Sequence, residues 1–229
     1  MIPNLPSYIN WVFLAVAIYT IVMFYFSNGK NLKATLAIIA WSVLHCSLAY
    51  TGFFINTEAL PPRFTFVLLP ATLAIIYSVL PKQRASIISN RDFRVSTFLH
   101  TVRIPVEICL FLLFSHGMVP ELMTFEGRNF DILAGITAPV IGFLFLKNWI
   151  GTKGMIAWNA VSLGLVLFIL VNGVLSTELP FQQFAFDQPN RAMMYVPFVL
   201  LPATVVPIVV FTHITDILKL KSIQKDRKQ

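Results

Sequence analysis

Seven apolar runs dominate the chain, at residues 8–26, 32–54, 64–80, 95–118, 129–146, 155–175 and 192–218. Each is close to the roughly 20 residues an α-helix needs to cross about 30 Å of hydrocarbon. In lipid an unpaired peptide group costs several kcal/mol, so only helices and closed barrels can span it, and continuous runs of this length select helices. The pattern predicts an all-α integral membrane protein with seven transmembrane helices in one membrane domain, residues 1–229. Composition agrees: 57% of the residues are hydrophobic and 12% charged, with mean hydropathy +0.76, against about 25% charged in an ordinary soluble domain.

An odd number of crossings puts the termini on opposite sides, and the basic residues say which is which. Lys30, Lys33, Lys82, Arg84, Arg91, Arg94, Lys147, Lys153, Lys219, Lys221, Lys225, Arg227 and Lys228 fall on one face, and Arg63, Arg128 and Arg191 on the other. This thirteen-to-three split predicts the N-terminus outside and the C-terminus in the cytoplasm of a plasma (inner) membrane, multi-pass. The net charge of +7 is thereby accounted for by topology, and no nucleic-acid partner is expected. The first ten residues lack a basic region and a small-residue cleavage site, so the first run is expected to be retained.

The chain also repeats itself. Phe66-Val-Leu-Leu-Pro-Ala-Thr72 recurs without change as Phe198-Val-Leu-Leu-Pro-Ala-Thr204. Residues 26–41 align without gaps on 143–158, matching at Phe26, Lys30, Asn31, Thr35, Ile39, Ala40 and Trp41. Helices one to three (1–80) then correspond to five to seven (119–218), with helix four (81–118) as an unrepeated linker and 219–229 as a basic cytoplasmic tail. Copies that start four helices apart have the same orientation, which makes this a parallel repeat. The 3+1+3 plan is similar to that of the SWEET and PQ-loop transporters, and the similarity implies two three-helix halves around a transport path. It is architectural: the Pro-Gln pair of that family is absent, Pro70 and Pro202 each being followed by Ala.

Helix four carries the most costly residues. His100, Arg103 and Glu107 share one helical face at i, i+3 and i+7, and Arg at a membrane centre costs about 2.5–3.5 kcal/mol on insertion scales. At 1.5 Å per residue, Arg103 lies about 12 Å deep and Glu107 about 18 Å. Intramembrane charges of this kind either handle a substrate or hold a bundle together. In the first case Arg103 anchors a small solute or anion and Glu107 accepts a proton, with His45 on helix two at a similar depth and within reach. In the second, Arg103 and Glu107 form a structural clamp. His45 belongs to one half only, since its repeat partner is Ser162.

His213 and Asp216, near the cytoplasmic end of helix seven, lie level with His100, so these three are candidate metal or haem ligands. No local ligand motif accompanies them, and no cofactor is otherwise expected. A retinal protein is excluded because the first lysine of helix seven is Lys219, and a ceramidase-type zinc site because its His-x-x-x-His would need histidine at Ile217. Cys46 and Cys109 sit in apolar runs and imply no disulfide. Asp131 reads as a dipole-compensating charge at the start of helix five. Arg63, Arg128 and Arg191 read as interfacial anchors, and the aromatic stretch 181–187 is expected to lie in the interface or cap the bundle. The leading expectation is a small-solute transporter or permease with a polar site around helix four. The alternatives are a non-transporting sensor or assembly component built on the clamp, and a membrane haem or metal enzyme.

Overall fold

The computed structural model describes residues 1–226; Arg227 and Lys228 of the basic tail lie outside the described residues. The described chain is helical with no strand. α1 (Ser7–Ser27) and α2 (Leu32–Tyr50) are followed by α3 (Thr65–Val79) and α4 (Pro81–Asn90). α5 (Phe93–Leu99) runs through a 3₁₀ turn (His100–Val102) into α6 (Arg103–Ser115). α7 (Asp131–Leu146) and α8 (Thr152–Leu175) follow, and a π-helical turn (Leu201–Val205) leads into α9 (Val206–Asp226).

Five helices are long and apolar enough to cross a bilayer: α1, α2, the continuous Phe93–Ser115, α8 and Leu201–Asp226. The third and fifth apolar runs differ from the simple expectation. α3 reaches a comparable length only together with α4, and the two are bent by 83°. Pro81 causes the break, because its fixed φ and missing N–H suit the first turn of a new helix. Residues 81–90, assigned with 91–118 to helix four, are therefore a separate helix carrying Lys82 and Arg84. α7 has 16 residues, about 24 Å of rise. α9 continues unbroken to Asp226, so His213 lies midway along its span instead of near the end.

Local chemistry sets these boundaries. Asn31 caps α2 by accepting from the Ala34 N–H at 3.1 Å, and Asp92 caps α5 through the N–H groups of Arg94 and Val95. Gly29 has φ +64°, and a Cβ there would lie 2.8 Å from the Asn90 carbonyl oxygen. Its absence lets the α1–α2 turn seat on the α4–α5 turn, where the Asp92 N–H donates to the Ser27 carbonyl at 2.8 Å.

α8 packs along α9 more extensively than any other pair, and α1 covers α5 and α6. α7 turns a stripe of small residues, Ala134, Gly135, Ala138 and Gly142, toward α5 and α6. At Gly135 a Cβ would stand 3.1 Å from the Arg103 Cβ, so glycine brings α7 close to the one arginine inside α6. The two segments related by sequence repetition pack differently: α2 and α3 do not run along each other as α8 and α9 do. α3 buries only Val67.

Candidate functional site

A column of buried polar side chains runs inside the bundle between α5–α6 on one side and α7, α8 and α9 on the other. From Ser96 to Glu107 it covers about 17 Å of helix rise. Ser96, His100, Arg103, Glu107, His213 and Asp216 are all no more than 2% exposed. Burial of this kind is tolerable only with partners, and the partners define the site.

At one end Asp216 accepts from Arg91 Nε at 2.6 Å and from the Ser96 hydroxyl. Arg91 had the sequence environment of a loop cation, yet its side chain is fully buried with its guanidinium 5.5 Å from the Phe211 ring centre. Both of its Nη atoms lack a protein partner.

The middle is a pair of stacked histidines. The His100 and His213 rings lie 3.8 Å apart and 3° from parallel, with Trp158 edge-on to both. His213 Nε2 is 2.8 Å from Arg103 Nη2, and its Nδ1 is 2.8 Å from Asn159 Oδ1. Guanidinium groups only donate, so Nε2 must accept. Asn159 spends its amide N–H on the Met155 carbonyl, which leaves Oδ1 as the acceptor for Nδ1–H. His213 is thus held as the neutral Nδ1–H tautomer.

The three candidate metal or haem ligands come together here, but His100 and His213 stack on each other and His213 and Asp216 engage protein partners. Face-to-face rings at 3.8 Å leave no room for a porphyrin between His100 and His213. His213 spends Nε2 on Arg103, and Asp216 spends its oxygens on Arg91 and Ser96. No group of three or more candidate metal ligands occurs among the described residues.

Arg103 corrects the clamp as well. Its ion-pair partner is Asp131, with Nη1 3.0 Å from Oδ1, and Nη1 and Nη2 both reach the Ser162 carbonyl, at 3.2 and 3.3 Å. Glu107 forms no ion pair with it. The Glu107 carboxylate instead accepts from Asn129 Nδ2 at 2.7 Å through both oxygens, and Asn129 Oδ1 accepts the Asp131 N–H at 3.1 Å. Asn129 therefore ties the two carboxylate residues together. A side chain four residues along a helix could have met Arg103, but α7 carries Asp131 in against it through the gap that Gly135 leaves.

A cavity of about 70 Å³ adjoins this end of the column, with Glu107, Asn129, Asp131, Thr177 and Asn190 among otherwise apolar walls. It has room for about two waters at roughly 30 Å³ each. Arg103 and His45 do not line it.

His45 stands apart. Its Nδ1 lies 3.0 Å from the Trp41 carbonyl and its Nε2 3.4 Å from the Phe66 carbonyl, and its ring packs on Trp41 and Phe54. Phe66 is four residues before Pro70, which has no N–H to give it, so His45 sits beside a carbonyl freed by proline and is no partner of Glu107. Trp41 does the same for the other half: its Nε1–H donates at 3.0 Å to the Ala203 carbonyl, four residues before Pro207.

At this end of the bundle the loop after α8 is tied down by Gln188 and Asn190, while Phe181 and Phe186 of the aromatic stretch 181–187 are exposed. Gln188 donates to the Phe114 and Val119 carbonyls, and Asn190 to the Gly173 carbonyl. Arg191 pairs with Glu178 at 2.8 Å on the surface. Its two charge-assisted hydrogen bonds hold the Glu178 carboxyl below the usual range. Sequence reading missed Arg91, Asn129 and Asn159, and gave Asp131 only a helix-end role; the available signal was their position inside or beside apolar runs.

Compared with known protein families, curated proteins and solved structures, the chain matches none.

Proposed function

We propose that this chain is a multi-pass membrane permease for a small solute, with protons handled at Glu107. The observation that carries the reading is the polar column itself. Inside a bundle of apolar helices it retains buried atoms with no protein hydrogen-bond partner: Arg91 Nη1 and Nη2, His100 Nδ1 and Arg103 Nε. Leaving such atoms dry costs about 1–3 kcal/mol each, which favours a hydrated interior. Two carboxylate residues line the cavity while Arg103 turns away from it, so the site favours a proton, a cation or a neutral hydrogen-bond donor over the anion first expected. A solute larger than a few atoms needs a wider conformation than the one described.

Seven crossings follow if α3–α4 counts as one bent span and α7 as a short one. The 3+1+3 repeat rests on the matched segments, and the orientation with the C-terminus in the cytoplasm of the plasma membrane rests on the basic residues. Arg91 leaves that count because it is buried, and the bias survives.

Purified protein in proteoliposomes with an internal pH dye tests the proposal. The expected result is proton flux above empty vesicles, falling at least tenfold in Glu107→Gln with folding intact. Full flux in that variant removes the carboxylate from the mechanism. The competing reading, a structural clamp in a sensor or assembly component, is favoured by the three partners that Arg103 finds within the protein, and flux no greater than empty vesicles would support it.

A further inference from the structure

The unequal packing of the two related segments leaves a cleft of about 540 Å³ where α2 and α3 fail to close, bounded behind by α1 and α9. Its walls are apolar along most of their length, with Ala37 on α2 and Ala74 on α3 both exposed at its sides. From Asn31 to Trp41 it follows about 15 Å of α2. One end is polar, at Asn28, Asn31 and Ser78.

We infer that this cleft is a binding site for one anionic glycerophospholipid, an acyl chain lying between α2 and α3 and the headgroup at the Asn28–Asn31–Ser78 end. Charge complementarity decides between lipids. Lys30 and Lys33 flank Asn31, and Lys82 and Arg84 open α4 beside the lining residue Ile87; all four are exposed. Among the described residues, the acidic groups toward that end are already engaged: Asp92 caps α5, and Asp216 is buried in its ion pair with Arg91. Basic residues at a membrane surface gain about 1 kcal/mol each from anionic lipid. The apolar interior takes the chain, because filling it removes hydrocarbon-lined void that the helices themselves leave open. The site rests on the membrane reading but not on transport.

Native mass spectrometry of the full chain in mild detergent, with phosphatidylglycerol or phosphatidylcholine added, tests it. One phosphatidylglycerol is expected per chain, retained at least fivefold more than phosphatidylcholine. Lys30→Gln/Lys33→Gln/Lys82→Gln/Arg84→Gln should abolish that preference, and Ala71→Phe, which fills the cleft, should abolish retention of both. No retained lipid, equal retention of the two lipids by the parent, or undiminished retention in Ala71→Phe overturns the proposal. Should Ala71→Phe fail to fold, quenching of Trp41 by phosphatidylglycerol with brominated chains, in a variant with Trp11, Trp149 and Trp158 changed to Phe, gives the same decision. A chain extracted by alkaline carbonate would fail the membrane reading itself, separately from the lipid site.

Discussion

Arg103 donates to His213 at 2.8 Å, and this one contact determines the tautomer of the histidine and the orientation of the stacked pair. A protonated His213 would turn an N–H toward a guanidinium that cannot accept. Selective ¹⁵N labelling should therefore show His213 protonated at Nδ1 and bare at Nε2. Asn159→Leu, which removes the acceptor for Nδ1–H, should weaken that pattern and destabilise the fold by about 1–3 kcal/mol.

Pairing of Arg103 with Asp131, and not with Glu107, makes opposite forecasts for two double variants. Arg103→Leu leaves a buried carboxylate and should cost about 3–5 kcal/mol. Adding Asp131→Leu should recover most of that loss in a thermal-shift measurement. Adding Glu107→Leu should recover little, since it also strands Asn129.

Trp41 and Pro207 are coupled through the Ala203 carbonyl. Trp41→Phe keeps the ring and orphans that oxygen, at an expected cost of about 1–3 kcal/mol. In a Pro207→Ala background the new N–H is available to the same oxygen, so Trp41→Phe should cost less there. Equal costs in the two backgrounds, measured by a double-mutant cycle, would show that the tryptophan acts by packing alone.

Glu178 and Arg191 should matter little and in a pH-dependent way. The pair is about half exposed, so its worth is at most ~1 kcal/mol after solvent screening. Because pairing lowers the folded-state carboxyl below its unfolded value, the contribution is present above the unfolded range and is lost as pH falls through the folded one. Glu178→Gln should thus lower the melting temperature slightly at neutral pH and not in strong acid.

Gly127 has no substitute. A Cβ there would lie 2.3 Å from the Glu121 carbonyl oxygen, a backbone atom that cannot swing aside. Gly127→Ala should displace the 121–129 loop and with it Asn129, and is expected to reduce the yield of folded protein well below that of Gly164→Ala, whose position is open.

The helical, apolar character of the chain was legible from residue order, because bilayer length and backbone pairing act on each segment alone. So was the need of Arg103 and Glu107 for buried partners, because burial cost is a local property. The partners were not legible. An i, i+4 spacing brought Arg103 and Glu107 within reach of each other, but Asp131 and Asn129, more than twenty residues away, take them instead. Nothing in the residue order sets Gly135 apart from other small residues; its close approach to Arg103 does.

Sequence alone determined that most of the described helices are apolar, that helix four carries charges needing partners, and that a seven-residue segment occurs twice, at 66–72 and 198–204. Tertiary structure decided that those charges form a column through stacked His100 and His213, that His45 lies beside the carbonyl freed by Pro70, and that α8 and α9 close on each other while α2 and α3 leave a cleft. The physical reason is the range of the forces: hydropathy and helix capping are settled within a few residues, whereas buried hydrogen bonds choose among all the groups that packing brings within about 3 Å.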